Sequence, residues 1–332
     1  LNITILKAVK EGPIYPQPMK NLLSICFSPA RSDLNYLNAI TALKRFFSMR
    51  HPNVPESLEG WWILHRLFSF DRLSWDRLPE HERASIVKEA VSALEAFKSK
   101  QDSDVGLAQI LGHKADLMLT HYSKDYEGLA RVQTVVDKLR LSEYLVAASS
   151  YVSVLELGMY EATGKIHATL AERLLKPHSP EWNAAFDELV QEQAKIPHFG
   201  GRLWAPIPQR RYCCFYPMDK KRGEEVNWYT LPYEERGRLM MDHGKIGRTY
   251  HGLVTQVISG SIGFDSFEWG VDLYADDPTV FKKLIYEMRF DEASSKYGHF
   301  GDFWSGVQFS LDQLQVYLDG EGVPALNVLS AV

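Results

Sequence analysis

Between Tyr212 and Arg289 the chain gathers its most reactive side chains. Tyr216 and Lys220 stand four residues apart in Tyr216-Pro-Met-Asp-Lys220, and His243, Gln256, Trp269 and Arg289 follow. His243 lies in Met241-Asp-His-Gly-Lys-Ile-Gly-Arg248, where glycines on both sides let a bulky planar ligand come close to a helix. A neutral imidazole is the usual axial ligand of a haem iron. Beside a haem, a tyrosine can relay one electron, and a lysine four residues on can hold a carboxylate or deliver a proton. The guanidinium forks of Arg202 and Arg289 match ligand carboxylates. Together these residues read as a redox haem pocket.

Each has a blander reading when taken alone. With ten other histidines in the chain, His243 by position is more often a hydrogen-bonded or surface residue. Tyr216 ends an apolar run and suits a core position with its hydroxyl at the rim. Lys220 is followed by Lys221 and Arg222, which fits a solvated cationic stretch, and Arg289 closes a helix, where a positive charge meets the helix dipole. Rival chemistries find less support. There is no H-E-x-x-H or C-x-x-C zinc pattern, no glycine-rich phosphate loop and no G-x-S-x-G elbow. Gly260-Ser-Ile-Gly263 is too short for a dinucleotide fingerprint and reads as a turn or bulge.

The elements that must position these groups are announced by an internal repeat. Trp75-Asp-Arg-Leu-Pro-Glu-His-Glu-Arg83 returns as Trp228-Tyr-Thr-Leu-Pro-Tyr-Glu-Glu-Arg236, so W-x-x-L-P-x-x-E-R occurs twice. Each copy follows a strand-like run, Trp61 to Phe68 and Tyr212 to Met218, and opens a helix with proline and acidic residues at its start. The first helix buries Val87, Val91, Leu94 and Phe97 at helical spacing. Lys114 to Leu119 and Gly270 to Tyr274 read as corresponding later strands, each with a helix after it. The second of those helices has Asp277 as N-cap and Pro278 at its first position, with Val280, Phe281, Leu284, Ile285 and Met288 on one face.

Each half therefore reads strand, helix, strand, strand, helix, strand. The expected fold class is α+β, two tandem ferredoxin-like domains whose antiparallel sheets face each other around a barrel-like core. The expected boundaries are a basic, poorly ordered extension at 1–55, an N-terminal ferredoxin-like domain at 56–159, and a connection at 160–201. A haem-binding domain at 202–318 and a tail at 319–332 complete the chain. The connection carries an amphipathic helix with Trp182, Phe186, Leu189 and Val190 on one side.

Composition sets outer limits. The 332 residues carry a net charge of -5, with basic residues scattered rather than striped, so nucleic acid is not expected as a partner. No apolar run reaches membrane-spanning length. Cys26, Cys213 and Cys214 make no disulfide framework, which points to a reducing, cytoplasmic setting. Residues 1–50 differ from the rest, with seven basic residues against two acidic ones. They are expected to be either an extension or sequence upstream of a start at Met49.

As a set, the motifs closely resemble the coproheme decarboxylases of the chlorite dismutase superfamily. The resemblance runs from about Leu58 to Gln308. It rests on Gly60-Trp-Trp-Ile-Leu-His65, Ser150-Tyr-Val-Ser-Val154, Cys214-Phe-Tyr-Pro-Met-Asp-Lys220, His243-Gly-Lys-Ile-Gly-Arg248, Gln256-Val-Ile-Ser-Gly-Ser261 and Glu287-Met-Arg-Phe-Asp-Glu292. It implies paired ferredoxin-like domains, usually assembled as homopentamers, with an iron porphyrin in the second domain. His243 then corresponds to the proximal iron ligand, Gln256 to the distal residue, Tyr216 to the catalytic tyrosine and Lys220 to the essential lysine. Arg202, Tyr151, Ser153, Arg289 and Ser294 fall where such proteins contact propionates. Pro217, Met218 and Asp219 run along the porphyrin edge, and Trp269 fits the pocket wall.

The implied reaction is oxidative decarboxylation of the propionates at positions 2 and 4 of iron coproporphyrin III to vinyl groups. It gives haem b with hydrogen peroxide as oxidant. A transient contact with a coproporphyrin ferrochelatase is an implied partnership. Gln256 argues against chlorite chemistry, because chlorite dismutases place an arginine there to hold an oxychlorine anion. The rival from another class is a non-catalytic haem carrier or sensor, which needs His243 but neither Tyr216 nor Lys220.

Overall fold

The computed structural model describes residues 54–196 and 201–327. The basic segment with Cys26 and Met49, and Pro197 in the connection, lie outside the described residues.

In the first half, β1 (Ser57–Phe70) leads to α1 (Glu80–Lys98), β2 (Ser103–Ile110), β3 (Leu117–Ser123), α2 (Tyr126–Lys138) and β4 (Leu145–Gly158). Two helices follow, α3 (Tyr160–Glu172) and α4 (Pro180–Ala194). The second half repeats the first order: β5 (Tyr212–Lys220), α5 (Tyr233–Thr249), β6 (Thr255–Gly260), β7 (Trp269–Ala275), α6 (Thr279–Met288) and the paired pieces β8 (Gly298–Phe300) and β9 (Trp304–Phe309).

The repeat motif works the same way twice. Trp75 and Trp228 are both almost fully buried just ahead of the helix. Pro79 and Pro232 take the N-cap position with extended ψ, and acidic residues fill the first turn. Elsewhere the observed bounds move by a few residues. The strand expected at 114–119 runs from Leu117 to Ser123, and α6 begins at Thr279, where Asp277 Oδ1 accepts the Thr279 N–H at 2.9 Å.

The sheet order is β4-β1-β3-β2 in one half and β9-β5-β7-β6 in the other, the same ferredoxin-like order twice. The halves do not simply face each other. β4 pairs with β6 and β2 with β9, so eight antiparallel strands close into one ring, with β8 continuing along β5. Closure removes the open edges that two separate sheets would expose. Strand alternation then divides every strand between an inner and an outer face.

The inner face is packed and partly polar. His65 Nε2 lies 2.9 Å from Asp272 Oδ1, both fully buried, and the His65 ring stacks on Phe215 at 4.0 Å. The outer face of the first half is covered by α1 and α2, through Val87, Ala90, Leu94, Leu129, Val132 and Val136. In the second half, Cys214, Tyr216, Val271 and Leu273 pack beneath Val280, Phe281 and Leu284 of α6. Cys213 and Cys214 are free thiols, and burial pushes Cys214 up to about 12.

The connection holds two helices where one was expected, and they belong to a compact unit of their own. Within it, Ile166 and Leu170 of α3 and Trp182, Phe186 and Val190 of α4 are buried. The His167 ring lies 5.7 Å from Trp182 and 5.3 Å from Phe186. The barrel, from Glu56 to Tyr160 and onward from Ala194, forms the other unit, so both ferredoxin-like halves fold as one body.

Candidate functional site

The two halves differ most where α1 and α5 cross their sheets. Aligned on the repeat, Val87, Ala90, Val91 and Leu94 of α1 correspond to Met240, His243, Gly244 and Gly247 of α5. In the first half these side chains fill the space above the strands, and Ala90 and Leu94 are buried. In the second half the glycines fill nothing. The main contacts of α5 are with α6 and the short helical turn Glu292–Ser295, rather than with the strands. A Cβ at Gly247 would stand 3.4 Å from Gln256 Nε2 and 3.7 Å from Met288 Cε. The second half thus lacks the side chains that fill this space in the first half, which makes this face of α5 and its strands the candidate groove.

His243 is held from one side. Its Nδ1 lies 3.1 Å from Asp291 Oδ2 and 3.3 Å from Ser294 Oγ, while Nε2 carries no hydrogen bond among the described residues. Asp291 is itself fixed as the N-cap of the Glu292–Ser295 turn, its Oδ1 accepting the Ser294 N–H at 3.0 Å. Burial raises the Asp291 carboxyl, but the hydrogen bond and charge of His243 and the Ser294 contacts outweigh it, so its pKa falls below the usual carboxylate range. A ring whose Nδ1 faces a carboxylate and whose Nε2 is free has the arrangement of a metal-ligating histidine. A porphyrin iron fits this donor set.

Tyr216 and Lys220 lie on the outer face of β5, facing the helices. Tyr216 is buried, with its ring stacked on Phe303 at 4.4 Å and Phe300 at 5.9 Å. Burial, with a smaller push from Cys214, raises its phenol well above the ordinary range, against the pull of Arg289. It stays a neutral phenol with its proton to give. Lys220 is not the solvated cation its neighbours suggest. Its Nζ donates to the Ala293 carbonyl at 2.8 Å and lies 4.6 Å above the Trp228 ring. Burial lowers its pKa to about 8, with Asp291 and Glu268 opposing.

Register places the other expected residues. Met218 sits opposite Trp269 and Phe300, on the face of Tyr216 and Lys220, and Gln256 opposite Leu273 lies on that face too. Arg289 follows α6, its guanidinium 4.2 Å above Phe300. Neither Arg289 nor Arg202 nor Arg248 forms an ion pair among the described residues.

Four expected contacts are not brought together with these. Tyr151 and Ser153 pair with His65 and Ile63, so alternation turns them into the barrel, where the Tyr151 hydroxyl donates to the Phe267 carbonyl at 3.0 Å. They do not reach the groove. The side chains of Pro217 and Asp219 alternate away from Tyr216 and Lys220, and Asp219 Oδ1 accepts the Glu268 N–H at 2.7 Å. In the other direction, Asp291, Trp228 and Glu156 touch this site and were not singled out. For Asp291 one local signal existed, an aspartate three residues before Ser294, as in an N-cap. Its contact with His243, 48 residues away, is visible only in the fold.

The chlorite dismutase family model matches residues 83–309, which span the end of the first repeat motif to the last strand. The chain belongs to the chlorite dismutase family. A protein named coproheme decarboxylase from Staphylococcus saprophyticus is 42% identical over 267 residues, covering 80% of this chain and 98% of that protein. A structure described as a heme-binding protein from Thermus thermophilus superposes with a TM-score of 0.69 at 34% identity, over 81% of this chain and 99% of that one. The chlorite dismutase of Candidatus Nitrospira defluvii in complex with imidazole gives a TM-score of 0.59 at 18% identity, over 78% of this chain and 95% of its own, a likeness of fold. In this family frame, both halves of the barrel are one architecture, and the groove beside His243 is where they diverge.

Proposed function

We propose that this chain is a coproheme decarboxylase, converting iron coproporphyrin III to haem b by peroxide-dependent oxidative decarboxylation of the propionates at positions 2 and 4. The observation that supports the reading is that an oriented, open-sided His243 and a buried Lys220 are both held by the Asp291–Ser295 turn, with a buried Tyr216 on the strand face of Lys220. A carrier needs the histidine alone. A buried lysine and a tyrosine set in aromatic packing are costly features that a carrier has no use for. The 42% identity to the Staphylococcus saprophyticus protein supports the same reading.

Bound coproheme is substrate and redox centre together, supplying the iron that peroxide oxidises. His243 would hold that iron through Nε2, with Asp291 fixing the ring through Nδ1. Tyr216 gives up an electron and a proton, and its radical then takes a hydrogen atom from the propionate β-carbon. Loss of that hydrogen atom and of one further electron, for which the bound porphyrin would be the acceptor, would release carbon dioxide as the double bond forms. Each cleavage consumes one peroxide and one proton and releases one carbon dioxide and two waters. Lys220 is suited to deliver that proton, since its pKa of about 8 leaves it protonated yet acidic enough to give the proton up. Arg202 and Arg289 receive propionates, Ser294 adds a hydroxyl beside His243, and Trp269 and Met218 line the wall.

Gln256, a neutral amide, offers no cation to an oxychlorine anion, so chlorite turnover is expected to be weak or absent. The assembly is a homopentamer acting in the cytoplasm, receiving coproheme from a ferrochelatase by transient contact. Among the described residues no helix is long and apolar enough to cross a membrane. The test is to add hydrogen peroxide to the purified coproheme complex and follow porphyrin mass. A mono-vinyl species and then haem b are expected. Unchanged mass would favour the carrier.

A further inference from the structure

Glu156 is a side chain of the first half that reaches the strand face carrying Tyr216 and Lys220 in the second. It stands on β4, two residues beyond Val154, which pairs with Gly260 of β6, and Gly260 in turn pairs with Trp269 of β7. Val154, Gly260 and Trp269 therefore share one face, and alternation puts Glu156 on it. The Glu156 carboxylate crosses β6 and accepts the Trp269 indole N–H on Oε1 at 2.8 Å. Gly260 makes the crossing possible, because a Cβ there would collide with Glu156 Oε2. The row continues to Met218 and Phe300, on the face that carries Tyr216 and Lys220.

A part-buried carboxyl spanning two strands to hold one indole is a costly way to make a wall. Burial raises its pKa, with the Trp269 hydrogen bond opposing and Glu59 adding. An aliphatic residue would cost less in a purely structural seam, but it could not fix the rotation of the indole.

We propose that Glu156 is a positioning residue for the porphyrin site: through its hydrogen bond it sets the orientation of Trp269, and so the pose of the substrate in the groove. This rests on the reading of that groove as the coproheme site. A substrate that must present two propionates in turn to one tyrosine is sensitive to the wall it turns against. Loss of the hydrogen bond is expected to affect the second cleavage more than the first.

The experiment compares Glu156→Gln, Glu156→Leu, Gly260→Ala, Trp269→Phe and the Glu156→Leu/Trp269→Phe double variant. Ligand-free melting and far-ultraviolet circular dichroism establish which of them fold. The readouts are coproheme titration by absorbance, and the mono-vinyl to haem b ratio after peroxide. Glu156→Leu is expected to weaken coproheme binding or slow the second cleavage roughly 10-fold, the scale of one lost hydrogen bond. Glu156→Gln keeps an acceptor and is expected to stay within about 3-fold of the parent. Gly260→Ala, which displaces the carboxyl without removing it, should resemble Glu156→Leu. The double variant should be no worse than Trp269→Phe. Parent-like binding and product ratio in folded Glu156→Leu would overturn the proposal, and so would additive losses in the double variant. Should the parent bind coproheme without decarboxylating it, a weakened titration in Glu156→Leu would still uphold the positioning role while the enzymatic reading falls.

Discussion

Asp291 Oδ2 lies 3.1 Å from His243 Nδ1, and the same carboxylate caps the helical turn that brings Ser294 within 3.3 Å of that ring. One residue thus joins a piece of helix-end chemistry to the orientation of a candidate iron ligand. The arrangement leaves Nε2 turned away from its protein partners and gives the imidazole a basic neighbour. Partners of this kind set both ring orientation and ligand strength.

Asp291→Ala is accordingly expected to weaken coproheme binding roughly 10- to 100-fold, the usual effect of losing such a partner. The iron–histidine stretch in resonance Raman spectra should shift at the same time. His243→Ala should change the iron spectrum outright. A spectrum unaltered by both variants would remove His243 from the iron.

Tyr216→Phe keeps the ring and its stacking on Phe303 while removing the hydroxyl. It is expected to bind coproheme with affinity close to the parent and to yield no vinyl product by mass spectrometry. Normal haem b formation from this variant would exclude the tyrosine from the chemistry.

Lys220 carries a signed pH dependence. Its pKa is lowered by burial to about 8 in the folded ligand-free protein, below the unfolded value of 10.5. Between those values the unfolded chain binds more protons, so folding stability gains as pH rises from about 8 to 10.5, by up to about 3 kcal/mol. Below about pH 8 both states are protonated and the contribution is flat. Lys220→Met should remove that rise in chemical denaturation curves. The decarboxylation rate, if Lys220 gives the proton, should fall as pH climbs through about 8, and Lys220→Met should lose that limb.

Gly247→Leu copies into α5 the side chain that Leu94 supplies in α1. Leucine exceeds glycine in helix propensity by about 0.8 kcal/mol, which offsets part of the crowding against Gln256 and Met288, and ligand-free melting establishes that the variant folds. The added carbons enter the space toward Gln256 and Met288, and coproheme binding should be lost in an absorbance titration. Retained binding with a normal melting curve would place the porphyrin elsewhere.

Much of this was legible along the chain. The W-x-x-L-P-x-x-E-R repeat, apolar spacing and turn residues are local signals, and local signals suffice to order strands and helices into two ferredoxin-like halves. Residue types and motif order were enough to name His243, Tyr216, Lys220, Gln256 and Arg289. Partnership across the chain was not legible. Ring closure through β4–β6 and β2–β9 depends on which edges meet. The inward turn of Tyr151 and Ser153 depends on strand register, since a shift of one residue would reverse their face. Charge-rich neighbours made Lys220 look solvated, whereas the turn at Ala293 buries it. Asp291 and Glu156 lie 48 and 113 residues from the side chains they hold. The sequence by itself determined the order of strands and helices in the two halves and the residue types available to the second. Only the tertiary structure decided which groups share a face, are cut off from water, and can act together, because burial and contact belong to the packed chain and to no single stretch of it.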